Sequence, residues 1–432
     1  MNKPFVLIEH QCLKESEIGI IEGYNIDFQP TDYLKEPKCL GIDQNFCASY
    51  YIGATWLVPK EWAVIVHPKV PNVDFVKMFL AALEVDTENE SDYFSKCYGI
   101  QFDDPLIETD ERLNQLTPLL VLHYISLLER LVNRGLKKDY VVREENLKSK
   151  VKGRILFSKH LKKNVFQQRG DRVFCQFQEY TDDIPENRLL KKALLFAERV
   201  VNNYSSLRKQ IENTDLPTRM AKIDVAFQHV SDDIEVWQVK KLSANKLFKE
   251  HSQAVKVAKM LLRRFQYSID NTNSEQHTTP PFWIDMARLY EMWVYSKLNA
   301  VYHGQIEFQV GGHCRTAADY IKKDERLIVD AKYKPHYEDS NRGIIDDIRE
   351  ISGYARDNKI LKHLNADEQE IKCVIIYPQP EVLRSEDDWD PNDDCKEIAD
   401  FACGDLLPQC SPITWFRNVY KISIPLPTMN AE

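Results

Sequence analysis

Asp330-Ala331-Lys332 closes the apolar run Leu327-Ile328-Val329, and Asp319 stands eleven residues upstream. Side chains alternate between the two faces of a strand, so Asp330 and Lys332 share one face and Ala331 turns to the other. With a second carboxylate arriving from a neighbouring strand, this is a compact site for a hard divalent cation. Hydrolysis of a phosphodiester asks for that chemistry: Mg²⁺ on two carboxylates and a lysine beside the attacking water. The plainer reading of the triplet is a solvated strand end carrying an ordinary charge pair.

The elements around the triplet favour the first reading. Periodicity predicts a helix over 284–302, strands over 305–310, 314–321 and 326–332, a helix over 344–358 and a strand over 371–377. A helix, an antiparallel meander, then a helix crossing to a further strand makes an α/β sandwich of modest size. That order puts Asp319 on the middle strand of the meander and Asp330 and Lys332 on the next, while Glu291 sits on the preceding helix. The candidate metal ligands are therefore Asp319, Asp330, Glu291 and the main-chain carbonyl of Ala331, a set that leaves water positions open, as magnesium prefers.

Upstream, residues 1–110 read as β-rich. Tyr50–Val58 and Trp62–His67 form a hairpin-like pair around Pro59-Lys60-Glu61, and an amphipathic helix follows at Val73–Leu83. A mostly helical middle region spans 111–270. Its first helix, 116–135, stops at Gly135. A strand is expected near Phe174–Tyr180, Asp183 as the cap of a helix over 185–203, and further helices over 205–214 and 252–268. The polar stretch 270–281 reads as a linker to a last domain, 282–432. Beyond 381 the chain reads as an acidic loop closing with a short strand near Tyr420–Ile424.

Composition narrows the class. The 432 residues are 43% hydrophobic and 28% charged with a net charge of −9, an ordinary globular balance and not that of a protein coating nucleic acid. No run approaches a membrane span, and the apolar run before Glu9 is too short for a signal peptide, so the cytoplasm is the expected location. Ten scattered cysteines without a CxxC pair read as reduced thiols and argue against a zinc site. Charge is uneven: Lys137–Arg172 holds twelve Lys/Arg against four Asp/Glu, and Glu381–Asp405 ten acidic residues against two basic. The basic segment is either a solvated helix-and-loop face or a phosphate-backbone surface, the latter through Lys152, Arg154, Lys159, Lys162 and Lys163. No GxxxxGK[ST] loop occurs, so no nucleotide is expected to be bound by this chain itself.

Residues 285–377 resemble the PD-(D/E)XK nuclease core, with Asp319…Asp330-Ala331-Lys332 as its motif and Ala318 where the usual pattern has proline. Longer stretches resemble the McrC family in order and spacing: RGLKKDYVVREENLKSKVKGRI (134–155), CQFQEYTDDIPENRLLKKAL (175–194), RLYEMWVYSKL (288–298), IVDAKYK (328–334), IREISGYA (348–355) and CVIIYPQP (373–380), with AVIVHPKVPNVDFVKMFLAAL (63–83) upstream. The resemblance implies a Mg²⁺-dependent DNA endonuclease subunit of a modification-dependent restriction system. Asp319, Asp330 and Lys332 would be its catalytic residues, Glu291 an accessory and Tyr354 a phosphate-side residue. It also implies an McrB-like AAA+ GTPase ring as partner, contacted by the β-rich N-terminal region, and double-stranded DNA with modified cytosine as target. A stand-alone nuclease needing no motor and a regulatory adaptor stimulating a partner GTPase are the alternatives.

Overall fold

The computed structural model describes residues 2–26, 28, 38–70, 72–85, 93, 96–101, 104–105, 107–109, 116–203, 216–239, 249–270, 277–279, 281–313, 316–334, 342–367, 370–379 and 406–428. They fall into two compact units, one built from residues 1–114 and 275–432, the other from residues 115–274. The chain thus begins one unit, leaves it, and returns to finish it. The regions read from sequence as an N-terminal and a C-terminal domain lie within one unit.

The first pass lays down β1 (Phe5–Ile8), α1 (Glu15–Ile21), β2 (Tyr51–Val58), β3 (Trp62–His67), α2 (Phe75–Glu84), β4 (Tyr98–Ile100) and β5 (Ile107–Thr109). β2 and β3 pair antiparallel around Pro59-Lys60-Glu61, the expected hairpin, with Lys60 at φ +65 in the turn. The Asp74 carboxylate accepts the Lys77 N–H at 3.0 Å and starts α2.

In the second unit, α3 (Leu116–Arg134) ends as expected at Gly135, whose φ is +94. Then come β6 (Asp139–Lys148), β7 (Arg154–Ile155), the single turn α4 (Phe157–His160), β8 (Arg172–Thr181), α5 (Pro185–Asn203), α6 (Leu216–Phe227) and α7 (Lys249–Asp270). On α5, Leu189, Leu190, Ala193, Leu194, Ala197, Val200 and Val201 are buried, an apolar stripe at helical spacing that packs against α3 and α7. The basic segment is part strand and part helix and loop: β6 and β7 pair with β8 in a three-stranded antiparallel sheet of order β6-β8-β7, while Phe157–His160 and Leu161–Val165 are helical and the remainder is turn or loop. Charges at Arg143, Glu144 and Glu145 obscure the period-two signal, because nearly all of β6 is solvated on both faces. Asp183 does not cap α5. Its carboxylate takes Arg188 at 2.7 and 2.6 Å and the Ser231 N–H at 3.0 Å. The helix expected over 205–214 lies outside the described residues, as does the acidic stretch 381–405.

The return pass gives β9 (His277–Thr279), β10 (Phe282–Asp285), α8 (Met286–Val301), β11 (Glu307–Gly311), β12 (Ala317–Lys322), β13 (Leu327–Ala331), α9 (Arg342–Tyr354), α10 (Asn358–Leu364), β14 (Lys372–Pro378), β15 (Ser411–Pro412) and β16 (Val419–Ile424). The end of the expected linker is therefore ordered: β9 pairs with β5, and β10 enters the first sheet, whose order is β1-β3-β2-β10-β4. The second sheet runs β11-β12-β13-β14-β16-β15, antiparallel through the meander and parallel from β13 to β16. Ile344, Ile348 and Ile351 of α9 and Ile360 and Leu364 of α10 bury themselves against Ile328, Cys373 and Ile375 of that sheet.

One expectation about cysteine is corrected. Cys12 and Cys47 oppose one another in an isolated antiparallel bridge and are joined as a disulfide. Residues 35 apart come together only through folding, so their spacing held no signal. Cys175, Cys373 and Cys410 are thiols.

Gly53 of β2 lies opposite Trp283 of β10 with φ +138, and a Cβ there would collide with the Phe282 carbonyl. Gly53→Ala is expected to cost about 2 kcal/mol or more, because both the close approach and the backbone conformation exclude a side chain. Denaturant unfolding of the full chain checks this, and a loss below a few tenths of a kcal/mol would refute the strand approach.

Candidate active site

β12 and β13 pair with Tyr320 opposite Val329, which brings the start of β12 beside the end of β13. Asp319, Asp330, Ala331 and Lys332 meet there, and α8 brings Glu291 to the same place. Each acid is fixed by a specific partner. Asp319 Oδ2 accepts the Ala331 N–H at 2.9 Å. Lys332 Nζ stands 2.9 Å from Asp330 Oδ2 and 2.8 Å from Glu350 Oε2 on α9. Tyr354, one turn further along α9, donates its hydroxyl to Glu350 Oε1 at 2.8 Å, so it reaches Lys332 through that carboxylate.

Asp319 and Asp330 are only 9% and 1% exposed, and burial without full charge compensation shows in their chemistry. Desolvation, with the neighbouring Glu291 charge, pushes Asp319 up to about 7. Desolvation also pushes Glu291 up to about 7, against the lowering effect of its bond from Tyr93. Asp330 is raised well above the carboxylate range by burial and the adjacent Asp319. Burial works against the charge on Lys332, yet Asp330 and Glu350 together raise its pKa, so it stays an ammonium at any ordinary pH. Carboxylates that outnumber cations in a dry site, each above its solution pKa, are poised to exchange protons for a divalent ion.

Three residues of the cluster escaped the sequence reading. Gln309 on β11 donates Nε2 to Asp319 Oδ1 at 3.0 Å and to Glu291 Oε2 at 3.2 Å. It does so from φ +49, the left-handed region, which costs a non-glycine residue roughly 1–2 kcal/mol. Strand alternation could have found it, since Phe308 opposes Tyr320 and Val310 opposes Ala318, leaving Gln309 to face Asp319. Tyr93, from the first pass of the chain, donates its hydroxyl to Glu291 Oε2, and nothing in the sequence marked it. Glu350 was quoted only as part of a longer text.

The first sheet also reaches the site. Lys69, just past β3, donates Nζ to the Tyr333 carbonyl at 2.6 Å and lies 4.1 Å from that ring's centroid. The Tyr333 hydroxyl points to Glu9 Oε2 at 3.4 Å, and Glu9, buried, is pushed up to about 7. The residue after Lys332 is thus held by the end of β1 and the exit of β3.

Asp319, Asp330 and the Ala331 carbonyl form an all-oxygen donor set of the kind magnesium takes, with one or two carboxylates and the rest water. Among the described residues no three His, Cys, Asp or Glu side chains close into a metal cage. The fit is thus to an open two-carboxylate site, with Glu291 turned to Tyr93 and Gln309. The basic candidates belong to the other unit. Lys152 lies 3.7 Å from Glu179 and 4.1 Å from the Phe177 ring centroid, Lys159 pairs with Glu144, and Lys163 stands 5.0 Å from the Phe174 ring centroid. All three, with Arg154 and Lys162, are exposed.

Because Glu291 and Asp319 have folded pKa values raised from 4.5 and 3.8 to about 7, the folded state holds extra protons across that window. Their contribution to stability is therefore fullest at low pH and is lost as pH rises towards 7. The melting temperature of chelator-treated protein should fall by more between pH 5 and pH 8 in the wild type than in Glu291→Gln. Parallel curves would mean that Glu291 ionises as it does in water.

A family model described as McrBC 5-methylcytosine restriction system component matches residues 48–347. No curated protein matches. Among solved structures, the chain is similar to one from Thermococcus gammatolerans, a refined half-complex from a tetradecameric assembly of McrB AAA+ hexamers with bound McrC. Identity is 14%, coverage 98% of this chain and 94% of that one, and the TM-score 0.39. It is also similar to the cryo-EM structure of the Thermococcus gammatolerans McrBC complex, at 15% identity over 68% of this chain and 87% of that one, with a TM-score of 0.30.

Proposed function

The chain belongs to the McrBC 5-methylcytosine restriction system component family, and from that premise we propose that it is the magnesium-dependent DNA endonuclease subunit of such a system. The observation that carries the reading is Lys332, held between Asp330 and Glu350 beside the buried Asp319. The order of α8, the meander β11–β13, α9 and β14 agrees with a PD-(D/E)XK core.

Asp319, Asp330 and the Ala331 carbonyl would hold the cation. A bound magnesium would lower the pKa of its water and offset charge on the phosphate. Lys332, permanently protonated, acts as a hydrogen-bond donor and not as a base. Its ammonium orients the attacking water and stabilises negative charge on the phosphoryl oxygens as the bond to phosphorus forms. Glu291 Oε1 can take up a proton near neutral pH, since its pKa is close to 7. Glu350 positions Lys332, and Tyr354 holds Glu350 from the next turn of α9.

The substrate is double-stranded DNA carrying modified cytosine. The trigger is an McrB-like AAA+ GTPase ring, since these 432 residues carry no phosphate-cradling GxxxxGK[ST] loop of their own. The exposed Lys152, Arg154, Lys159, Lys162 and Lys163 are the candidate phosphate contacts, although pairing of Lys152 and Lys159 with Glu179 and Glu144 leaves less charge for DNA. Among the described residues no helix is long and apolar enough to cross a membrane.

Asp330→Asn and Lys332→Met should each reduce cleavage of methylated DNA by about a hundredfold or more, assayed with Mg²⁺, GTP and the partner ring. Circular dichroism should be unchanged, and so should stimulation of the partner's GTP hydrolysis. Cleavage within a few-fold of wild type would sink the site assignment. Efficient cutting by the chain with Mg²⁺ alone would replace the ring-activated reading with a stand-alone nuclease.

A further inference from the structure

Gln309 is an uncharged side chain that bridges two acids of the cluster, with Nε2 at 3.0 Å from Asp319 Oδ1 and 3.2 Å from Glu291 Oε2. An ionised carboxylate only accepts, so towards the ionised pair the amide presents its NH₂. The arrangement is maintained from a backbone conformation of φ +49 that glycine would adopt without strain. Neither carboxylate depends on Gln309 for its place: Asp319 is also held by the Ala331 N–H and Glu291 by the Tyr93 hydroxyl. A strained residue whose bonds are redundant for holding its neighbours points to a task other than structure. The two ends of a glutamine amide are nearly the same size, and a half-turn about the last side-chain bond exchanges donor for acceptor without moving the backbone.

We propose that Gln309 is a switchable cation ligand: its NH₂ spans Asp319 and Glu291 as arranged here, and its carbonyl Oε1 turns to face a divalent cation bound by Asp319 and Asp330. The proposal rests on the nuclease reading of the cluster and adds an oxygen donor from β11 to it. The same half-turn releases Glu291 Oε2 from the amide and frees that carboxylate to meet water. Hard cations accept amide carbonyls alongside carboxylates, so Oε1 suits the donor set.

The test titrates the full-length protein, stripped with chelator, with Mn²⁺ followed by electron paramagnetic resonance, and records thermal melting of the same samples. Gln309→Gly should weaken Mn²⁺ binding by about tenfold, while its melting temperature holds or rises, because the strained backbone is relieved as the ligand is removed. Gln309→Glu, an acceptor that cannot present a donor when ionised, should bind Mn²⁺ more tightly than Gln309→Gly and melt lower than wild type at pH 8 in chelator. Mn²⁺ affinity of Gln309→Gly within twofold of wild type overturns the proposal. A fall in both affinity and melting temperature in Gln309→Gly, with no gain in Gln309→Glu, also overturns it by making the residue structural. Asp330→Asn separates the two levels. Loss of Mn²⁺ binding there, with Gln309→Gly unaffected, refutes only the role of Gln309, whereas undiminished binding in Asp330→Asn refutes the metal-site reading beneath it.

Discussion

Burying three carboxylates beside one lysine is the constraint on which the unit built from residues 1–114 and 275–432 depends. Each ion taken out of water costs several kcal/mol even after relaxation, and Lys332 can offset only part of that. The fold offsets part of the rest with hydrogen-bond donors: the Ala331 N–H and the Gln309 amide on Asp319, the Tyr93 hydroxyl and the same amide on Glu291. What it leaves uncompensated appears as carboxyl groups that ionise near neutrality or above. The site therefore carries an unmet demand for positive charge, and a divalent cation is the simplest way to meet it.

That constraint explains why the first pass of the chain belongs to the unit that holds the acid cluster. Tyr93 supplies a hydroxyl to Glu291, while Lys69 and Glu9 hold the backbone and ring of Tyr333, next to Lys332. β10 is inserted between β2 and β4, so α8, which carries Glu291, starts directly from the N-terminal sheet. A disturbance of that sheet has a short covalent and hydrogen-bonded route to the acid cluster. The helical unit 115–274, an excursion from this framework, contributes none of the acids.

Legibility in the sequence followed the kind of force at work. Long apolar periodicity exposed the helices at 116–134, 185–203 and 286–301 and the meander of the second sheet, since burial of one face imposes that pattern. β6 was hidden because it is solvated on both sides, and β10 because four residues are too few for a period to declare itself. The cap assigned to Asp183 failed for a different reason: an arginine five residues on competes for the same carboxylate and wins with two charge-assisted bonds.

The sequence by itself determined the chemistry: an acid, an acid and a lysine at strand spacing, within an order of elements that brings them to one strand end. Local pattern suffices there because strand alternation and short connections fix which faces meet. The tertiary structure alone decided how the acids are held and how strongly they resist ionisation, because those depend on residues far apart in the chain. Tyr93 lies 198 positions from Glu291, Tyr333 lies 324 from Glu9, and Cys12 lies 35 from Cys47. No spacing rule connects such pairs; only the closing of the chain on itself does.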